Sequence, residues 1–284
     1  MRAENHTPVR NPLDAAGLRR AALRPDGLWR DIEVVPSTGS TNADLLARAL
    51  RGEPEGIVLA AEEQTAGRGR LGRTWVAPPY AALTFSLLVR PGVPPARRGW
   101  LPLLAGVAVA AAVTEVTGVE ARLKWPNDVL AGEAKLAGIL AEAAGDAVVV
   151  GIGLNVSTEP AELSRLLAAP GPGALPATSL AATSLRAAGA TALNREELLL
   201  AILAGFERWY QPWRQAGGDP DRSGLRIGYT RLSATIGRTI RAELPGGQAL
   251  SGPAAGVDSD GRLLVRVSSG AEIPVAAADV VHLR

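Results

Sequence analysis

Only two of the 30 cationic side chains are lysines, Lys124 and Lys135, and the rest are arginines. The chain is rich in Ala, Gly, Pro and Arg, a pattern that reads as a coding bias towards Arg wherever either cation serves. Lysines that survive such a bias mark positions where a compact ammonium is needed. That group suits a single carboxylate or phosphate oxygen, whereas the guanidinium fork suits bidentate contacts. Lys124 opens the run Lys124-Trp125-Pro126-Asn127-Asp128. A reversal near Gly132 brings Lys135–Gly138 back beside Asn127 and Asp128, so two lysines, an Asp and an Asn share a small volume. A plain Lys–Asp ion pair is the alternative, but exposed pairs are weak stabilising devices. Gly138 within a strand fits close approach by a ligand.

A second candidate is the loop Gly67-Arg68-Gly69-Arg70-Leu71-Gly72-Arg73. Glycines let backbone come close and adopt unusual dihedrals, and arginines offer forked donors to carboxylate or phosphate. Its G-x-x-x-x-G-R-T spacing imitates a P-loop, but Arg73 stands where Lys is required and Pro78-Pro79 blocks the helix that must follow. An anion-binding loop that orders over its ligand remains, against the plain reading of a solvated basic turn. Gly151-Ile152-Gly153-Leu154-Asn155-Val156 imitates a dinucleotide fingerprint, yet Val156 replaces the third glycine and the run is strand-like throughout. Asn155 at the strand end is then a ligand contact or a turn residue. Ser40-Thr41-Asn42 precedes a helix, with Thr41 to Asp44 fitting a capping box, and a cap also presents hydroxyls and N–H groups. Trp75 and Trp125 adjoin the basic motifs and either stack on a base or pack in the core.

The elements that position these groups follow from periodicity. Helices are expected over Leu13–Leu23, Ala43–Arg51, Leu101–Thr117, Glu159–Ala168 and Arg195–Gln215. The last carries Leu198, Ile202, Phe206 and Trp209 on one face. Strands are expected at Ile32–Val35, Ile57–Ala61, Ala82–Val89, Arg122–Trp125, Lys135–Ala141 and Ala147–Val156, with a loop from Trp125 to Ala134. Residues 169–178 read as a Gly/Pro-rich loop and 217–224 as a linker. After Leu225, turn signals recur every 8–12 residues around short alternating strands, the texture of a small β-barrel. This gives a disordered tail at 1–13, a mixed α/β domain at 14–224 and a small β domain at 225–284.

Composition narrows the chemistry. The chain has 284 residues, is 47% hydrophobic, and carries a net charge of +2, which is too balanced to imply nucleic-acid binding. It has no cysteine and two histidines, His6 and His282, so disulfides, thiolate chemistry, histidine triads and multi-histidine metal sites are excluded. The apolar run Leu101–Val113 reads as a buried helix, not a membrane span, and no secretory signal is visible at the start. A soluble cytoplasmic protein is expected.

In combination these segments resemble the biotin protein ligase family. The matching pieces are GSTN at 39–42, EQTAGRGRLGRTW at 63–75, KWPNDVL at 124–130, KLAGIL at 135–140 and GIGLNV at 151–156. Their order and spacing also fit, over about residues 32–284. The resemblance implies an α+β fold, a mixed-sheet catalytic domain like the class II aminoacyl-tRNA synthetases followed by an SH3-like barrel. It implies two steps: biotin and ATP, with Mg2+, give biotinyl-5′-AMP and pyrophosphate, and a lysine of a carboxylase carrier domain then takes the biotin and releases AMP. Ser40, Thr41, Asn42, Gln64, Arg68, Gly69, Arg70, Lys135 and Gly138 would hold biotin. Arg68, Arg73, Trp75, Lys124, Trp125, Asn127, Asp128, Lys135 and Asn155 would hold the nucleotide. Lys135 and Arg70 would offset the repulsion between carboxylate and triphosphate, and Asp128 would accept or orient the carrier amine's proton. Some members carry an N-terminal DNA-binding domain; GSTN starts so early here that no repressor activity is expected, and the protein is expected as a monomer or weak homodimer. A lipoate or octanoate ligase or transferase of similar fold, and a non-catalytic anion- or nucleotide-binding protein, are the competing readings.

Overall fold

The computed structural model describes residues 10–168, 181–244 and 247–283. Seven strands form one sheet in the order β1-β2-β3-β7-β6-β5-β4. They are β1 Asp31–Val35, β2 Ile57–Ala61, β3 Ala82–Val89, β4 Ala121–Lys124, β5 Asp128–Ala131, β6 Ala134–Ala144 and β7 Ala147–Asn155. Only β1 and β2 run parallel; the other pairings are antiparallel. The expected loop from Trp125 to Ala134 therefore contains a strand, β5. Its four residues are too short to show a period, and Val129 and Leu130 are buried.

One face of the sheet packs on helix α3, Trp100–Thr117, and behind it on α5, Arg195–Gln215. The α3 sequence is apolar all round because the helix lies in the centre of the core, buried from Trp100 to Val113 almost without a break. That explains why it is long and apolar enough to pass for a membrane span. Gly106 admits Leu123 and Ile139 of the sheet, and Gly118 ends the helix in the left-handed conformation at φ +72°. On α5, Leu198, Ile202 and Phe206 are buried as expected, but Tyr210 and Trp213 continue the core. Trp209 is only half-buried and instead covers Gly228.

Two expected boundaries move. Residues 10–13 of the expected tail are docked: Arg10 pairs with Glu162 at 2.6 Å, and the Leu13 N–H donates to Glu62 at 2.6 Å. Arg195 holds the same Glu62 carboxylate at 2.6 Å, and all three ends of this junction are largely shielded from water. Residues 1–9 lie outside the described residues, as does the expected loop at 169–178. Further on, Leu225–Leu232 forms helix α6, not the first part of a β domain. Leu225 and Tyr229, four residues apart, bury one side of it, with the Tyr229 ring 6.1 Å edge-on to Trp100.

The all-β part begins at Thr239. Strands β8 Thr239–Glu243, β9 Ala249–Val257, β10 Leu263–Arg266, β11 Glu272–Val275 and β12 Asp279–His282 form an antiparallel sheet in the order β11-β10-β9-β8-β12. It is fastened to the larger unit by two indoles: Trp100 Nε1 donates to the Asp258 carbonyl and Trp125 Nε1 to the Gly261 carbonyl, both at 3.1 Å.

His282 on β12 sits half-buried, 3.2 Å from the Thr235 hydroxyl, and burial, with Lys124 and Arg238 nearby, pushes it down to about 4. The unfolded chain takes up this proton near pH 6.5, so the contribution of neutral His282 is present above pH 6.5 and is lost as pH falls towards 4. After solvent screening the loss is on the order of 1 kcal/mol. Denaturant melts at pH 7 and pH 5 should show that His282→Gln flattens this part of the pH dependence; an unchanged slope would contradict it.

Candidate active site

The face of the sheet turned away from α3 carries the chemistry. Strand register aligns Lys124, Asp128, Gly138, Gly153 and Thr84 in one row across five strands. Gly151, two residues from Gly153, lies on the same face. These glycines make a floor that other groups lie on. A Cβ at Gly153 would be 2.3 Å from the Trp75 indole, and one at Gly151 would be 2.2 Å from Asn42 Oδ1. The rejected dinucleotide fingerprint is thus a strand with glycines on alternate residues, which is the signal that could have placed Gly151 and Gly153 in the site.

Lys135 reaches this face through an irregularity. In a regular strand, Lys135 and Gly138, three residues apart, would face opposite ways. The register shifts between Val129 and Leu130, so Leu130 pairs with Lys135 while Val129 pairs with Ala137. The extra residue on β6 turns Lys135 to the side of Gly138. Its ammonium lies 2.5 Å from Asp128, and it would stand 3.3 Å from a Cβ at Gly138. Lys124 faces the same carboxylate from the other side in the register, only 8% exposed and without an ion pair among the described residues. Burial lowers its pKa, as does Lys135 nearby; Asp128 works in the opposite direction.

The glycine–arginine loop arches beside this row. The Gly69 N–H donates to the Arg73 carbonyl at 2.6 Å, and Leu71 turns the tip at φ +55°. Arg70 donates to Asn127 Oδ1 at 3.2 Å and has no carboxylate partner among the described residues; burial lowers its pKa. Arg73 is different: both ends of its fork hold Asp279 of β12, whose carboxyl it keeps below the usual range. Arg68 is exposed. Around this point stand Lys124, Lys135, Arg70 and Arg73 against Asp128 and Asp279, an excess of positive charge open to an anionic ligand.

Beyond the floor lies a neutral hydrogen-bonding pocket. Ser40 caps helix α2, Thr41–Leu50, accepting from the Ala43 N–H at 3.4 Å. The expected capping box is displaced: Asp44 instead accepts from the Thr38 hydroxyl. The Thr41 N–H and hydroxyl both reach Gln64 Oε1, at 2.8 and 3.0 Å. Thr41 also meets Ser86, which contacts Asn42, which contacts Glu142. Ser86 and Glu142 were not found from the sequence, because only the pairing of β3, β7 and β6 brings them together. A cleft of about 880 Å³ opens beside the arginine loop, lined by that loop, Asn127, residues 139–142, the Asp260–Arg262 turn and the start of α3 at Gly99, Pro102 and Leu103; Lys124, Lys135, Thr41 and Gln64 do not line it. Its size is that of a small-molecule site.

Three expected ligand contacts are placed otherwise. Trp125 is 2% exposed, its ring committed to the core and its N–H to Gly261. Asn155 donates its amide to the Thr183 carbonyl at 2.9 Å; Thr183 N–H in turn donates to the Lys135 carbonyl at 2.8 Å, so Asn155 braces the Lys135 backbone. Asp128, held against Lys135, is engaged before any amine arrives.

The cationic row beside the glycine floor suits an anionic small-molecule ligand. Residues 33–158 match the Biotin/lipoate A/B protein ligase family model, and residues 235–283 match the Biotin protein ligase C terminal domain. The chain is 44% identical to the biotin–[acetyl-CoA-carboxylase] ligase of Mycobacterium tuberculosis, over 97% of this chain and 98% of that one. It is 32% identical to the bifunctional ligase/repressor BirA of Bacillus subtilis, covering 93% of this chain and 76% of the relative. Among solved structures, the biotin protein ligase of Aquifex aeolicus in complex with biotin and ATP superimposes with a TM-score of 0.71 at 26% identity, over 90% of this chain and all of that one. The chain belongs to the biotin protein ligase family. Its fold is the family's class II synthetase-like catalytic sheet with an SH3-like C-terminal domain.

Proposed function

We propose that the protein activates biotin with Mg-ATP to biotinyl-5′-AMP and transfers the biotin to a lysine of a carboxylase carrier domain. The observation that carries this reading is the Lys135–Asp128–Lys124 row, with Arg70 beside it, on the same sheet face as the uncharged groups of Thr41, Asn42, Gln64 and Ser86. The neutral pocket of Thr41, Asn42, Gln64 and Ser86 suits the uncharged biotin head, and the cations suit its carboxylate and the α-phosphate.

In the first step a carboxylate oxygen attacks the α-phosphorus and pyrophosphate leaves. Both reactants are anionic, so Lys135 and Arg70 offset their repulsion and the charge that builds on phosphorus. Trp75, flat on Gly153, offers a face to the adenine. Asp128 holds Lys135 in place. In the second step the carrier amine attacks the acyl carbon of the mixed anhydride and AMP leaves. Water would do the same, so the arginine loop shields the anhydride until the carrier arrives. No group of three or more His, Asp or Glu side chains converges among the described residues. Magnesium would enter bound to the nucleotide's phosphates, as is usual for this ion. The remaining expectations are carried forward with this reading: a cytoplasmic enzyme, a monomer or weak homodimer, without DNA binding.

Pyrophosphate release with biotin, lipoate and octanoate tests the proposal. Release with biotin alone supports it; release with lipoate or octanoate alone replaces the substrate. The floor makes a separate prediction. Gly153→Ala must displace the Trp75 ring, and KM for ATP should rise roughly tenfold with KM for biotin changed much less. An unchanged KM for ATP would remove Trp75 from the nucleotide site.

A further inference from the structure

Glu142 has no role in the steps above. It lies on β6 four residues beyond Gly138, so its side chain leaves the sheet on the face of the glycine floor. We infer that Glu142 is a positioning residue: it fixes which way the Asn42 amide faces and thereby sets the direction of hydrogen bonding across the pocket. The inference rests on the biotin reading and deepens it.

The direction of each hydrogen bond follows from the protons available. A carboxylate accepts and cannot donate, so Asn42 must turn its NH2 to Glu142, which it meets at 2.7 Å. The second amide proton goes to the Leu140 carbonyl at 3.2 Å. The amide oxygen then faces Ser86, whose hydroxyl donates to it at 2.6 Å. Ser86 has spent its only proton, so its 2.7 Å contact with Thr41 takes the Thr41 hydroxyl proton, which also faces Gln64 Oε1 at the longer 3.0 Å. Gln64 Oε1 keeps the Thr41 backbone N–H at 2.8 Å. Every donor in the chain from Thr41 to Glu142 is used and Ser86 is wholly buried, so the remaining lone pair on Asn42 Oδ1 is what is left for a ligand. That edge accepts. It suits the N–H groups of a cyclic urea and rejects an analogue whose N–H is blocked. A flipped Asn42 would present N–H to Ser86 and set its oxygen against both Glu142 and the Leu140 carbonyl; without Glu142 only the longer Leu140 contact, at 3.2 Å, opposes the flip. Gly151 gives the amide the room it needs, since a Cβ there would press on Asn42 Oδ1.

Three full-length proteins test this: wild type, Glu142→Ala and Glu142→Gln. Each is assayed by biotin-dependent pyrophosphate release, and with N-methylated biotin as a blocked analogue. The expected result for Glu142→Ala is KM for biotin about tenfold higher, with kcat and KM for ATP within about twofold of wild type. Discrimination against N-methylated biotin should shrink in parallel. Glu142→Gln can still turn an amide oxygen to Asn42 but is no longer bound to accept, and should recover only part of the loss. An unchanged KM for biotin in Glu142→Ala overturns the inference. So does a common fall in all parameters in both variants, which marks a purely structural residue. Wild type without biotin-dependent release would overturn the biotin reading itself, whereas failure confined to the variants overturns only the role of Glu142.

Discussion

Lys135→Ala is expected to lower biotin-dependent adenylate formation by about a thousandfold, close to the upper effect of removing one preorganised electrostatic contact. The size follows from what the substitution leaves. The ammonium is delivered to the reacting face by the irregular pairing of β5 and β6, and is held 2.5 Å from Asp128. Without it, Asp128 keeps its charge beside the point where negative charge develops, answered by Lys124 across the strand pair and by Arg70 from the loop. The positive excess at the reacting point is halved, and the cation nearest Asp128 is gone. Lys135→Arg should rescue poorly, because a longer planar fork must spread over Gly138, where even a Cβ would meet the present side chain at 3.3 Å. Single-turnover pyrophosphate release measures the effect, and a loss below tenfold would show that Lys135 is only an ion-pair partner.

Arg70→Ala is expected to lower adenylate formation about a hundredfold and, in addition, to let the adenylate escape. Arg70 and Arg73 lie three residues apart on one loop, yet their charges are used differently. Arg73 is neutralised by both oxygens of Asp279, so it fastens the loop to the C-terminal sheet. Arg70 meets only an amide oxygen, at 3.2 Å, and its charge is available to the ligand. Its loss removes a cation from the acyl phosphate and a tie between the loop and Asn127. The half-life of preformed adenylate on the protein should therefore fall along with its rate of formation. An adenylate formed slowly but retained as in wild type would separate the two roles and contradict the second.

The parts of this account that the sequence made legible are those with strong local signals. The meeting of Lys135 with Asp128 followed from two isolated lysines and a turn at Gly132. Helix α5 was bounded at Arg195 and Gln215 because its period is long; the structure adds Asn194 as its cap. Other parts depend on distant pairing. The one-residue irregularity opposite Val129 leaves no trace in the hydrophobic pattern, yet it decides which face Lys135 serves. Asp279 reaches Arg73 from the last strand, 206 residues away, and Glu142 gains meaning only when Asn42 is laid on Gly151. Helix α6 was hidden by its eight residues, which include Gly228 and Thr230 and show too little of a period. Trp125 had two readings beside a basic motif, and burial between the two sheets chose the core.

The most direct test of the central claim, that one site makes and then guards a mixed anhydride, is a single-turnover experiment with α-labelled ATP, biotin and excess protein. The account predicts one equivalent of labelled biotinyl-5′-AMP that stays with the protein through gel filtration. Adding a carrier domain should then discharge it to AMP with one biotinyl-lysine formed per AMP. Label that leaves the protein as free AMP before any carrier is added, or no biotin-dependent label at all, would contradict it.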